Sequence, residues 1–150
     1  MIQYIDVHAM LQQSVAGFYG DLVTRPTGRA VRESIETALR AGATEYADQA
    51  VALIDFSGVG CIDYSCADEI VAKLLRDRGM VLVLRGISDG HREAIEPVLQ
   101  GHGLAAVLAN PDGTLDALGR HDVAAALLEE LVARRLAARS PDGVLALTFA

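Results

Sequence analysis

The chain has 150 residues, half of them apolar, with 20 acidic against 13 basic side chains and a net charge of −7. That length and apolar content suit one domain with a real core and exclude a disordered chain. The acidic balance argues against direct binding of nucleic acid or of an anionic membrane surface.

The N-terminal stretch has no early basic residues and no uninterrupted apolar core, so it does not read as a secretory signal. No apolar run reaches the ~18 residues of a membrane span. The two cysteines, Cys61 and Cys66, stand five residues apart without a histidine nearby. That is a poor zinc pattern, and without a secretory context it does not suggest a disulfide. The expectation is a reducing, cytosolic compartment with two mostly buried thiols, and neither a metal nor a cofactor.

In chain order, residues 1–24 are the least legible: "IQYIDV" reads as a strand and "HAMLQQSVAGF" as a short helix. "TRPTGRAVRESIETALRAG" is clearer, with Thr27 as N-cap, Val31, Ile35, Ala38 and Leu39 on one face, and Gly42 as its end. "ATEYADQ" is a polar connection. "AVALIDF" carries no polar alternation before Asp55, which fits a strand covered on both faces. A helix follows, with Ala67, Ile70, Val71, Leu74 and Leu75 in one stripe, Asp68 and Glu69 in its first turn, and Gly79 at its end.

"MVLVLRGI" is a second buried strand. The next helix is capped by Ser88 or Asp89, with Ala94, Ile95, Val98 and Leu99 inward and Pro97 predicting a kink or an irregular last turn. "LAAVLA" is a third strand, and Asn110-Pro111-Asp112-Gly113 is turn chemistry. Residues 121–140 read as the longest helix. "VLALTF" reads as a final strand or a docked tail. The alternation predicts a single α/β domain over 1–150, with a mostly parallel sheet and flanking helices.

A polar knot, Asp63-Tyr64-Ser65, lies between the first buried strand and the helix after it. In open α/β sheets, function collects at that edge. Ser65 is placed as N-cap or first-turn residue, where a phosphate is electrostatically tolerated, and Asp63 as the group that orients its hydroxyl or takes its proton. The plain alternative is a capping serine paired with Asp68, with Asp63 only closing the loop. "SGVG" lacks the Lys and Ser/Thr of a phosphate-binding loop, and "DYSCA" is not a hydrolase elbow. His8, His91, His102 and His121 are scattered. His91 falls on an apolar stripe and reads as structural, and His121 as part of a capping turn.

The segment "ALIDFSGVGCIDYSCADEIVAKL" resembles the centre of STAS domains of the anti-anti-sigma-factor type, nearer a divergent STAS-like branch. The resemblance rests on Asp55, Ser57, Gly58, Val59, Ile62, Asp63 and Ser65, and is clearest over 51–108. Residues 1–24 and 139–150 stand outside it. It implies a STAS-like fold and a signalling module that is not itself an enzyme. Ser65 is then the phosphorylation position, and a protein partner is bound through Asp63, Tyr64, Ser65, Cys66, Ser57 and Gly58. The implied partner is an anti-sigma factor or serine kinase with a histidine-kinase-like ATPase fold. Tyr64 and Cys66 depart from the family pattern, which has a small hydroxyl residue and a glycine there.

Two other readings stand beside this one. The first is a STAS-like module that binds a small ligand or a protein without modification. The second is an enzyme with Ser65 or Cys66 as nucleophile, for which no base or oxyanion device is visible. A phosphate on Ser65 is expected to project outward, because it meets Asp63, Asp68 and Glu69.

Overall fold

The apolar run at Val51–Asp55 is buried at each of its first four positions, as a strand packed on both faces must be. The computed structural model describes residues 2–14, 20–41 and 51–148. The elements run β1 (Ile2–Asp6), α1 (Val7–Ser14), α2 (Arg25–Ala41), β2 (Val51–Asp55) and α3 (Tyr64–Ala67). A π-helical segment (Asp68–Ala72) then leads directly into α4 (Lys73–Arg78). After it come β3 (Val81–Arg85), α5 (Asp89–His102), β4 (Ala105–Ala109), β5 (Leu115–Gly119), α6 (His121–Ala133), β6 (Ala137–Arg139) and β7 (Leu145–Leu147).

Five strands form one sheet in the order β1-β2-β3-β4-β5. The first four are parallel, with Ile2 beside Val51, Val51 beside Val81 and Val83 beside Val107. β5 closes the far edge antiparallel to β4. The strands alternate faces at period two. Ala52, Ile54, Leu82, Leu84, Ala106 and Leu108 join Leu11 of α1, Ile35 of α2, Ile70 of the π-helical segment, Leu74 of α4 and Ile95 of α5 in the larger core. Val51, Leu53, Val81, Val83 and Val107 face the other way, against Leu131 of α6 and the β6–β7 hairpin. Each fully buried Leu or Ile contributes about 1.5–3 kcal/mol of transfer free energy. The chain is thus an α/β domain with a mostly parallel sheet and helices on both faces.

Several elements begin or end where local chemistry dictates. Asp6 Oδ1 accepts the Ala9 N–H and so turns β1 straight into α1. Ser88, not Asp89, caps α5: its Oγ accepts the His91 N–H, and His91 Nδ1 accepts the Ser88 N–H. Gly79 ends α4 with φ +60°.

Other boundaries differ from expectation. α2 begins at Arg25, so Thr27 lies inside its first turn, with its hydroxyl on that of Thr24. The entry is set by Thr24, whose N–H is bound by Asp63 and whose φ is +69°. Gly42 and the polar connection lie outside the described residues. α5 runs through Pro97 to His102, with the proline inside the helix. The stretch after the Asn110 turn is a strand, β5.

α6 stops at Ala133, well short of residue 140, and at 13 residues is shorter than the 17 of α2. Arg135 adopts φ +61° there, with Arg135 N–H on Val132 O and Leu136 N–H on Leu131 O. This is a Schellman end in which arginine takes the place usual for glycine. Within the "VLALTF" tail Leu145–Leu147 form a strand, β7, paired antiparallel with β6. Among the described residues no helix is long and apolar enough to cross a membrane.

Candidate functional site

The loop from β2 to α3 lies at the C-terminal edge of the parallel strands and is tied down on three sides. Asp55 Oδ1 accepts the Ser57 N–H at 2.9 Å, and its Oδ2 accepts the Tyr4 hydroxyl at 2.6 Å. That hydrogen bond pushes the Tyr4 phenol up to about 12. Ser57 and Gly58 are exposed, while Val59 and Ile62 anchor the loop in the core.

A strip from Gly20 to Thr24 runs alongside: Leu22 N–H reaches Cys61 O at 2.7 Å, and Asp63 N–H reaches Leu22 O at 2.9 Å. Asp21 Oδ1 accepts the Cys61 N–H. From the other side, His91 is 97% covered and its Nδ1 is already an acceptor. Its Nε2–H therefore donates to Gly60 O at 2.6 Å. The histidine is structural, as its stripe suggested.

Asp63 is the N-cap of α3. Its Oδ1 accepts the Cys66 N–H at 2.8 Å and the Ser65 hydroxyl at 2.7 Å, and its Oδ2 accepts the Thr24 N–H at 2.8 Å. Burial alone would raise the Asp63 carboxyl. The hydrogen bonds from Ser65, Cys66 and Thr24 outweigh it and hold the carboxyl below the usual range. Ser65 is thus not the cap, and it forms no capping pair with Asp68. Its hydroxyl is half-buried in the first turn and oriented by Asp63. Tyr64 is 63% exposed and stands between two shallow depressions.

Cys66 departs from its expected place on the contact surface. It is fully buried, because α2 crosses here and Gly28 packs against it. Its thiol donates to Thr24 O at 3.1 Å. Burial first, and the Asp63 charge second, push that thiol up to about 12, so it stays protonated and a poor nucleophile. Cys61, expected to be buried, is exposed because the strip from Gly20 holds only its backbone.

The sequence reading missed a charge network beneath Ser65. Arg25 Nη1 bonds Asp68 at 2.8 Å and Glu69 at 3.0 Å. Arg32 and Lys73 also bind Glu69, at 3.1 and 2.8 Å, and His102 Nε2 donates to Asp68 at 2.9 Å. Glu69 is completely buried. Burial opposes ionisation of both acids, but their bonded partners hold both carboxyls below the usual range. The two acids are therefore neutralised and do not simply face the helix start.

The π-helical turn begins at Asp68, and such turns recur at functional sites. Arg25, Tyr64, Ser65, Asp68 and His102 line one open depression of about 620 Å³. Asp63, Tyr64 and Ser65 are brought together by the fold, while Ser57 and Gly58 form the exposed start of the same loop. Among the described residues no three His, Cys, Asp or Glu side chains converge as a metal site. Comparison with protein-family models, with curated proteins and with solved structures finds no match.

Proposed function

We propose that the chain is a STAS-like signalling module of the anti-sigma-factor-antagonist type, working in the cytosol and choosing its protein partner by the phosphorylation state of Ser65. The observation that carries this reading is the Ser65 hydroxyl, held by Asp63 Oδ1 at 2.7 Å beside the exposed Tyr64 ring. Asp63 and Ser65 stand at the spacing of the STAS acceptor motif, with Tyr64 and Cys66 departing from it. The partner is a serine kinase with a histidine-kinase-like ATPase fold. In the transfer, Ser65 Oγ bonds to the γ-phosphorus of a nucleoside triphosphate held by that kinase. The bond from the γ-phosphorus to the bridging oxygen breaks, a nucleoside diphosphate leaves, and the hydroxyl proton is released to water.

The module itself carries out no chemistry in this reading. A protonated, buried Cys66 and a carboxylate with depressed basicity at Asp63 make a poor nucleophile and a poor base. A second reading, binding without modification, is favoured by the depressions on both sides of Tyr64.

Calorimetry with the partner ATPase separates the two. Ser65→Ala should bind as the wild type does, and Ser65→Asp at least about tenfold more weakly, roughly 1.4 kcal/mol. Equal affinities for the two variants favour binding without modification.

A further inference from the structure

Ser65 and Asp68 are i and i+3 on one helical face, and so are neighbours. Both open into the depression that Arg25 and His102 also line. Arg25 and His102 each hold Asp68, from α2 and from α5. Neither side chain is locked in place: Arg25 is 44% exposed and His102 36%. Glu69 does not depend on Arg25, because Arg32 and Lys73 also neutralise it.

We propose that Arg25 and His102 are the built-in receptor for a phosphoryl group on Ser65, releasing Asp68 to take it. This rests on the phosphoacceptor reading above and adds what the phosphate does once present. A phosphoserine carries nearly two negative charges and three acceptor oxygens, so it outbids a single carboxylate for an arginine. The ester oxygen has lost its proton and can no longer donate to Asp63 Oδ1. The Asp63 carboxylate then repels the phosphate toward the depression. Asp68 is part-exposed and is left to water. Asp68 and Glu69, expected to drive the phosphate outward, are both paired. The modified surface beside Tyr64 thus gains a fixed phosphate–arginine pair and a freed carboxylate, a different face for a partner to read.

The test installs phosphoserine at position 65 during synthesis, so that no kinase is needed, and follows its second ionisation by phosphorus NMR. The charged and titratable groups facing it are Arg25 from α2, His102 from α5, and Asp63, Tyr64 and Asp68 from its own run. The carboxylates push the ionisation up, and the Arg25 charge and the His102 N–H donor push it down. With Arg25 and His102 bound, it should lie about one pH unit below that of the same phosphoserine in the urea-unfolded chain. Arg25→Gln should abolish most of that difference. Asp68→Asn, which keeps Arg25 and His102 and removes the carboxylate that competes for them, should enlarge it, and this arm stands even where the Arg25 variant fails to fold. An ionisation equal to that of the unfolded chain and unmoved by Asp68→Asn overturns the proposal. Absence of phosphate from Ser65 in the native cell discards the phosphoacceptor reading instead, a result this measurement does not depend on.

Discussion

Asp63 binds Thr24 across the fold: its Oδ2 accepts the Thr24 N–H at 2.8 Å, while its Oδ1 caps α3. One carboxylate therefore joins the entry of α2 to the start of α3. Asp63→Ala should cost about 2 kcal/mol, at the upper end for a lost cap. Ser65→Ala loses one half-exposed donor and no cap, and should cost under ~1 kcal/mol. Urea melts of the two variants check the order. A larger loss for Ser65→Ala would mean that Ser65 holds the loop.

Glu69→Gln should be costly. The carboxylate is fully buried and meets Arg25, Arg32 and Lys73. Removing its charge leaves a buried amide among three part-exposed cations that have lost their shared partner, which should cost about 1–3 kcal/mol. A variant within about 1 kcal/mol of wild type in the same melts would show that the cations simply turn to solvent.

Acid should unfold the protein through the same carboxylates. Glu69 is buried and Asp63 and Asp68 are partly so, yet their hydrogen bonds hold all three below the usual carboxylate range. The native state then binds fewer protons than the unfolded chain, whose Asp and Glu titrate near ~3.9 and ~4.3. Their contribution is complete above those values and is lost as pH falls through them toward the lower native ones. Calorimetric melting temperatures should hold above about pH 5 and drop steeply below about pH 4. A melting temperature unchanged down to about pH 3 would contradict the network's ionisation.

Gly28 should tolerate no side chain. A Cβ there would stand 2.9 Å from the Cys66 Cα, which is backbone and cannot turn aside. Gly28→Ala should destabilise by about 1–3 kcal/mol through overpacking, despite alanine's better helix propensity. Leu74→Ala, in the middle of the buried stripe, should cost about 2–5 kcal/mol. A stabilised Gly28→Ala would place α2 farther from α3.

The parts legible in the sequence are those whose signal is local. β2, β3 and β4 are continuous apolar runs, and Ser88 and Gly79 are ordinary caps. β5 was not legible, because "LDALG" is short and follows a turn that draws attention to itself. The end of α6 was hidden because Arg135, rather than a glycine, takes the left-handed position. At the site, the Asp63–Ser65 hydrogen bond spans two residues and could be read. The network could not, because Arg25 lies 43 residues before Asp68 and His102 34 residues after it. The i,i+4 pairs Glu69–Lys73 and Arg32–Glu36 were local traces of it.

Phosphopeptide mapping of the protein isolated from its native cell tests the role of Ser65 most directly. The peptide containing Asp63, Tyr64 and Ser65 should appear with one phosphate, placed on Ser65 by fragmentation and absent from a Ser65→Ala strain. A peptide that is never phosphorylated, or phosphorylated on Tyr64 instead, would contradict the switch and leave Ser65 as a hydroxyl that does no more than satisfy Asp63.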